Sequence, residues 1–335
     1  SRQARRAGGD RRDGAFSAFT LLAVHNWGGN PFEWRFLHGV NKGAGTIGLV
    51  GLGLVGSALS ENLIAAGYEV HGYDLDPRRV DSFSELGGIA QPSAGRVGTL
   101  CSLVMLSVRD SNSVREVVHG AEGLLSGDRA VTTIIDTTTG DPDSTVEMAK
   151  YLKGEGISYL DATISGSSEQ IRKRKGVFLV GGEPDTFDRI RPVLSLLSET
   201  FYYVGPSGAG SKTKLASNLI LGLNRLALAE GLVFAERLGL DLSQFLEILR
   251  KTPAYSAAID VKGEKMLSGD FSPQSKISQH RKDLDIILSY SEKLHQQLPL
   301  TRVHHQVLRM AENNGLAEAD TSAVLAQLRD MIEEE

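Results

Sequence analysis

Residues 48–56 of the 335-residue chain read GLVGLGLVG, and SALSENLIAA follows. Gly51, Gly53 and Gly56 stand in the order G-x-G-x-x-G, with the apolar run TIGLV before them and an amphipathic stretch after. A strand that enters a helix through such a turn needs each glycine for a separate reason. Gly51 permits the tight turn, Gly53 lets backbone approach a pyrophosphate, and Gly56 lets the helix pack on the sheet. Leu52, Leu54 and Val55 fill the places between them, so residues 51–56 offer backbone N–H groups at the positive end of a helix. The next apolar run, YEVHGYD, ends in Asp74, 18 residues beyond Gly56. An acidic side chain there accepts hydrogen bonds from ribose hydroxyls and repels a 2′-phosphate. The stretch reads as a dinucleotide turn that favours NAD, with NADP kept open by Arg78 and Arg79 nearby.

Beyond the turn, short apolar runs alternate with amphipathic ones, the pattern of strands crossed over by helices in a parallel sheet. Leu54 to Ala66 and VDSFSELG read as helices; SLVMLSV, AVTTIID, ISYLDATI, VFLVGG and FYYVG read as further strands. The character changes near Gly205 to Gly210. Lys212 to Leu240 is apolar almost all round, as a helix at a domain centre is. Amphipathic segments follow, with Asp241, Pro299 and Asp320 as starts and Gly315 as a stop. The expected fold class is α/β: a Rossmann-like dinucleotide-binding domain over residues 46–207, then an all-helical domain over 208–335. Residues 1–45, arginine-rich at their start and without periodicity, read as an extension outside the fold.

Composition narrows the partners. A formal net charge of -5 gives no broad basic surface for nucleic acid. The lone Cys101 allows neither an internal disulfide nor a thiolate metal site, which suits a reducing compartment. No H-x-x-x-H or paired-cysteine pattern points to a metal. No apolar run looks long enough to span a bilayer, so neither a membrane nor nucleic acid is expected as a partner. The expected location is cytoplasmic, or mitochondrial if the arginine-rich start is a transit peptide.

The stretch IGLVGLGLVGSALSENLIAAGYEVHGYD resembles the start of the β-hydroxyacid dehydrogenase family, which includes 3-hydroxyisobutyrate dehydrogenase and tartronate semialdehyde reductase (2-hydroxy-3-oxopropionate reductase). Three further segments occur in the family's order. DATISGS, Asp161 to Ser167, is similar to its substrate loop, which implies that Ser165, Gly166 and Ser167 meet the substrate carboxylate. GAGSKTKLASN is similar to its G-x-G-x-x-x-K-x-x-N-N motif, with Lys214 and Asn218 four apart on one helix face. FSPQSKISQHRKDLDIIL is similar to its next segment, which implies Lys282 beside the cofactor, and the resemblance likewise implies Thr139, in IIDTTTGDP, at the nicotinamide half. The run Arg172, Lys173, Arg174, Lys175 reads either as a solvated rim or as an attractor for an anionic substrate.

The resemblance implies an NAD(P)-dependent oxidoreductase acting on the hydroxyl of a short 3-hydroxyacid, with Lys214 as general acid or base and Asn218 orienting it. It implies a small-molecule hydroxyacid partner, a homodimer or homotetramer, and a helical domain, residues 208–335, that serves substrate and oligomer. The alternatives are a non-catalytic nucleotide-binding member, an imine reductase-like enzyme, and a 6-phosphogluconate dehydrogenase-like enzyme. Ser217, where that last group carries a histidine, argues against it.

Overall fold

The computed structural model describes residues 44–331; the expectation for the arginine-rich start falls outside them. Eight strands, β1 (Ala44–Val50), β2 (Tyr68–Tyr73), β3 (Ile89–Ala90), β4 (Leu103–Leu106), β5 (Thr133–Asp136), β6 (Ser158–Ser165), β7 (Val177–Gly182) and β8 (Thr200–Gly205), form one sheet. Their order is β3-β2-β1-β4-β5-β6-β7-β8. The chain runs outward from β1 to β3, then returns to the other side of β1, so a switch point lies between β1 and β4 where such sheets bind nucleotides.

Seven helices connect the strands: α1 (Leu54–Ala65), α2 (Pro77–Glu85), α3 (Ala94–Leu100), α4 (Ser111–His119), α5 (Pro142–Gly154), α6 (Ser168–Arg172) and α7 (Pro184–Leu197). Neighbouring residues point to opposite faces of a strand, and so Ile135 joins the core under α1 and α7 while Ile134 joins the one under α3, α4 and α5. One pairing departs from the expected parallel sheet. β6 and β7 are antiparallel, because residues 166–176 between them hold only the five-residue α6, too short for a parallel crossover.

After the sheet come α8 (Ala209–Arg237), α9 (Leu242–Leu249), α10 (Ala257–Ser268), α11 (Ile277–Lys293), α12 (Pro299–Ala311) and α13 (Val324–Asp330). Asp241 caps α9 through the Gln244 N–H, Pro299 opens α12, and Gly315 turns left-handed after it, at φ 84°. A third core, including Leu215, Leu232, Leu284, Leu308 and Leu325, joins these helices.

α8 is 29 residues long and apolar enough to cross a membrane by length and composition, which corrects the expectation that no run reaches that length. Its surroundings account for the composition. One side packs on β6, β7 and helices α10 to α13, and Lys214, Asn218 and Arg225 are among its buried residues. Ile220 and Phe234, 59% and 65% exposed, lie uncovered elsewhere on it.

Candidate active site

The β1–α1 turn is built as the glycine spacing requires. Gly51 has φ 94°, and a Cβ on Gly56 would stand 1.9 Å from the Gly51 carbonyl oxygen, so neither tolerates a side chain. A Cβ on Gly53 would meet only the Arg79 guanidinium, at 3.8 Å, which leaves that backbone open to a passing phosphate. Leu54 and Val55 open α1. The Leu52 N–H donates to Asp74 Oδ2 at 2.7 Å, and the Asp76 N–H donates to Oδ1 at 2.8 Å. Asp74 thus stands fixed at the end of β2, beside a cleft of ≈ 320 Å³ lined by Tyr73, Asp74, Leu75, Pro77, Val80 and Gln91. With a carboxylate at its edge to accept from ribose hydroxyls and open backbone at Gly53, the residues present suit a dinucleotide. Of the two arginines, Arg78 pairs with Asp76 at 3.0 Å and Arg79 lies 3.3 Å from Asp74.

Lys214 and Asn218 sit one turn apart on α8, 7% and 4% exposed. The start of α8 is fixed by a residue the sequence reading did not single out. Asp161, in the middle of β6, accepts from the Gly208 N–H and the Ser211 N–H, both at 2.9 Å. A carboxylate bound to the first turn of a helix meets its unpaired donors and its dipole together. Its signal in the sequence is an acid inside the apolar run ISYLDATI.

Asn218 Nδ2 donates to Asp283 Oδ2 at 2.9 Å. Asp283 is a second residue the sequence reading passed over, although it falls on the buried stripe of α11 with Ile277, His280, Leu284 and Ile287. Lys282, its neighbour, pairs with it at 3.2 Å and donates to the Thr139 carbonyl at 2.7 Å and the Arg109 carbonyl at 2.8 Å. Two separate expectations, Lys282 and Thr139, therefore meet at the ends of β4 and β5. Lys214 has no carboxylate within ion-pair distance among the described residues. Burial lowers its pKa to about 8, against the attraction of Asp283 and with help from the charges of Arg225 and Lys282.

Ser165 ends β6 and Gly166 follows with φ 148°. Ser167 caps α6 instead of standing free: its hydroxyl accepts from the Gln170 N–H, and its own N–H donates to Gln170 Oε1 at 2.8 Å. Of the three loop residues, its backbone donor is already spent. The basic run is likewise tied to the protein. Arg172 donates to Glu61, Lys173 pairs with Glu169 at 2.9 Å, and Arg174 donates to the Ser195 carbonyl.

Comparison with known proteins identifies the family. Residues 46–205 match the NAD binding domain of 6-phosphogluconate dehydrogenase, and residues 208–328 match the "NAD-binding of NADP-dependent 3-hydroxyisobutyrate dehydrogenase" model. The chain is 33% identical over 280 residues to 2-(hydroxymethyl)glutarate dehydrogenase of Eubacterium barkeri, covering 83% of this chain and 93% of that protein. It is 31% identical over 285 residues to 2-hydroxy-3-oxopropionate reductase of Escherichia coli, covering 85% and 97%. The crystal structure of Mycobacterium tuberculosis 3-hydroxyisobutyrate dehydrogenase with L-serine superposes with a TM-score of 0.75 at 26% identity, over 85% of this chain and 99% of that one. With the dinucleotide turn, the sheet order and both halves of the chain matched, the protein belongs to the β-hydroxyacid dehydrogenase family and is an NAD(P)-dependent oxidoreductase.

Proposed function

We propose that Lys214 is the acid–base group of this enzyme, and that its substrate is a short 3-hydroxyacid of the 3-hydroxyisobutyrate or 2-hydroxy-3-oxopropionate type. The observation that carries this is a buried lysine with no ion-pair partner among the described residues, its pKa brought to about 8, one helical turn from an asparagine held by Asp283. In that range the amine and ammonium forms are both available. In the oxidising direction the Lys214 amine takes the hydroxyl proton; in the reducing direction its ammonium returns it. Asn218, fixed by Asp283, orients the reacting oxygen through its remaining polar groups. Ser165 and Gly166, with the Ser167 hydroxyl, hold the substrate carboxylate. Bound dinucleotide supplies the hydride acceptor or donor. Residues 51–56 and Asp74 hold its pyrophosphate and adenosine, with NAD preferred, while Thr139 and Lys282 border its nicotinamide end.

In this reading residues 46–207 carry the cofactor, and residues 208–335 carry the proton-transfer group and the oligomer contacts. The uncovered Ile220 and Phe234 on α8 support a homodimer or homotetramer, since large apolar side chains on one element favour burial. A cytoplasmic location suits the single buried thiol of Cys101; import of residues 1–45 fused to a reporter into mitochondria would overturn it. The deciding experiment is a screen of glycerate, 3-hydroxyisobutyrate, threonate, 4-hydroxybutyrate and 2-(hydroxymethyl)glutarate with NAD and NADP. Turnover of at least one acid that Lys214→Ala lowers by roughly 10²-fold or more supports the assignment; near-normal turnover in that variant sinks it.

A further inference from the structure

The face of α8 that carries Lys214 and Asn218 continues past them. Gly222 and Arg225 follow at steps of four and three, so all four positions share one side of the helix. Gly222 is where two imidazoles reach the backbone. A Cβ there would stand 2.4 Å from His280 Nε2 and 2.6 Å from His304 Cε1. The two rings, one from α11 and one from α12, lie 5.2 Å apart between centroids, and both are buried. His280 Nε2 and His304 Nδ1 have no hydrogen-bond partner among the described residues. Burial, with the positive charge of Arg225 second, keeps both rings neutral at physiological pH. A neutral imidazole retains one N–H to donate.

Arg225 is 5% exposed, and among the described residues it has neither a hydrogen bond nor a carboxylate within ion-pair distance. The carboxylates whose charges reach it are committed elsewhere. Asp320 binds Lys262 at 2.8 Å, and Asp283 binds Asn218 and Lys282. Burial brings Arg225 down only to about 10, so it stays a cation at neutral pH. An unpaired buried cation costs several kcal/mol, and this one stands close enough to Lys214 to help depress its pKa. Among the described residues, three buried cations, Lys214, Arg225 and Lys262, with the half-buried Lys282, accompany the buried carboxylates of Asp283 and Asp320.

We propose that Arg225, with His280 and His304 beside it, receives a second, non-reacting carboxylate of the substrate, so that the enzyme favours hydroxyacids bearing an anionic side arm. A single guanidinium fork flanked by imidazole donors matches a planar carboxylate. The proposal rests on the preceding assignment of Lys214 to the reacting oxygen, because it places the arm on the side of that oxygen toward the C-terminal end of α8.

The test compares 3-hydroxyisobutyrate, 2-(hydroxymethyl)glutarate, and the latter with its side-arm carboxylate converted to the amide. In wild-type enzyme kcat/KM should favour the acid arm over the amide arm by roughly 10- to 100-fold, the range of a charge-assisted hydrogen bond. In Arg225→Met that ratio should fall to near one, with Arg225→Lys between. Glutarate binding, followed by calorimetry against butyrate, reads the subsite without turnover and should show the same dependence on Arg225. An acid-to-amide ratio near one in wild type overturns the subsite. So does a ratio or a glutarate preference that Arg225→Met leaves intact, or a variant whose change is only in oligomeric state. If none of these acids is turned over but glutarate still binds through Arg225, carboxylate recognition by Arg225 stands and the proposed substrate class falls.

Discussion

Asn218 on α8 and Asp283 on α11 are joined by a buried hydrogen bond, Nδ2 to Oδ2, at 2.9 Å. The bond fixes the amide beside Lys214, while the charge of Asp283 holds the lysine pKa higher than burial alone would leave it. Asp283→Asn keeps an oxygen to accept from Asn218 and removes only the charge. The pKa of Lys214 should then move below its value of about 8, and the midpoint of kcat against pH in the oxidising direction should shift to lower pH. An unchanged or higher midpoint contradicts the coupling.

In the proposed role, Lys214 sets the sign of the pH dependence. Oxidation needs the free amine, so kcat should rise through pH of about 8; reduction needs the ammonium, so kcat should fall across the same range. Lys214→Ala should lose roughly 10²-fold or more in turnover, with NAD(P) affinity kept, as loss of an acid–base group implies. Fluorescence titration with the reduced cofactor separates binding from chemistry. A variant that loses both together has lost the fold of the site and not its proton-transfer group.

Much of this arrangement is local and so legible along the chain. The glycine turn, Asp241 at the start of α9, Pro299 at the start of α12, and Lys214 four residues before Asn218 all depend on neighbours within one or two turns. What escapes is pairing over long separations. Asp161 binds the start of α8 from 47 and 50 residues away, and Asp283 reaches Asn218 across 65. Periodicity marks such residues as buried but cannot say which partner they meet. The antiparallel β6–β7 pair escaped for a related reason: strand direction depends on what the connection can span, and the apolar runs alone look the same either way.

The proposed preference for NAD rests on Asp74, whose carboxylate also holds Arg79 at 3.3 Å. Asp74→Ser should keep a hydroxyl near the Leu52 N–H while removing the charge that repels a 2′-phosphate and releasing Arg79 to meet one. The ratio of kcat/KM for NADP over NAD should rise by roughly tenfold or more, the equivalent of one charge-assisted hydrogen bond. Adding Arg79→Ala to that variant should reverse most of the gain. If the single substitution lowers both cofactors equally, Asp74 only supports the turn.

Stability of the helical half should depend unequally on the two members of its buried ion pair. Lys262 donates to both oxygens of Asp320, at 2.8 and 2.9 Å. Asp320 also accepts from the Gln274, Ser275 and Ser322 N–H groups and the Ser322 hydroxyl, tying the segment before α11 to the start of the last helices. Asp320→Ala strands a buried ammonium and several donors at once, so a loss of about 3–5 kcal/mol is expected. Lys262→Met leaves a carboxylate that four donors still hold, and its cost should be smaller. Urea denaturation of both variants measures the order. Equal losses would mean that the backbone bonds to Asp320 add nothing beyond the ion pair.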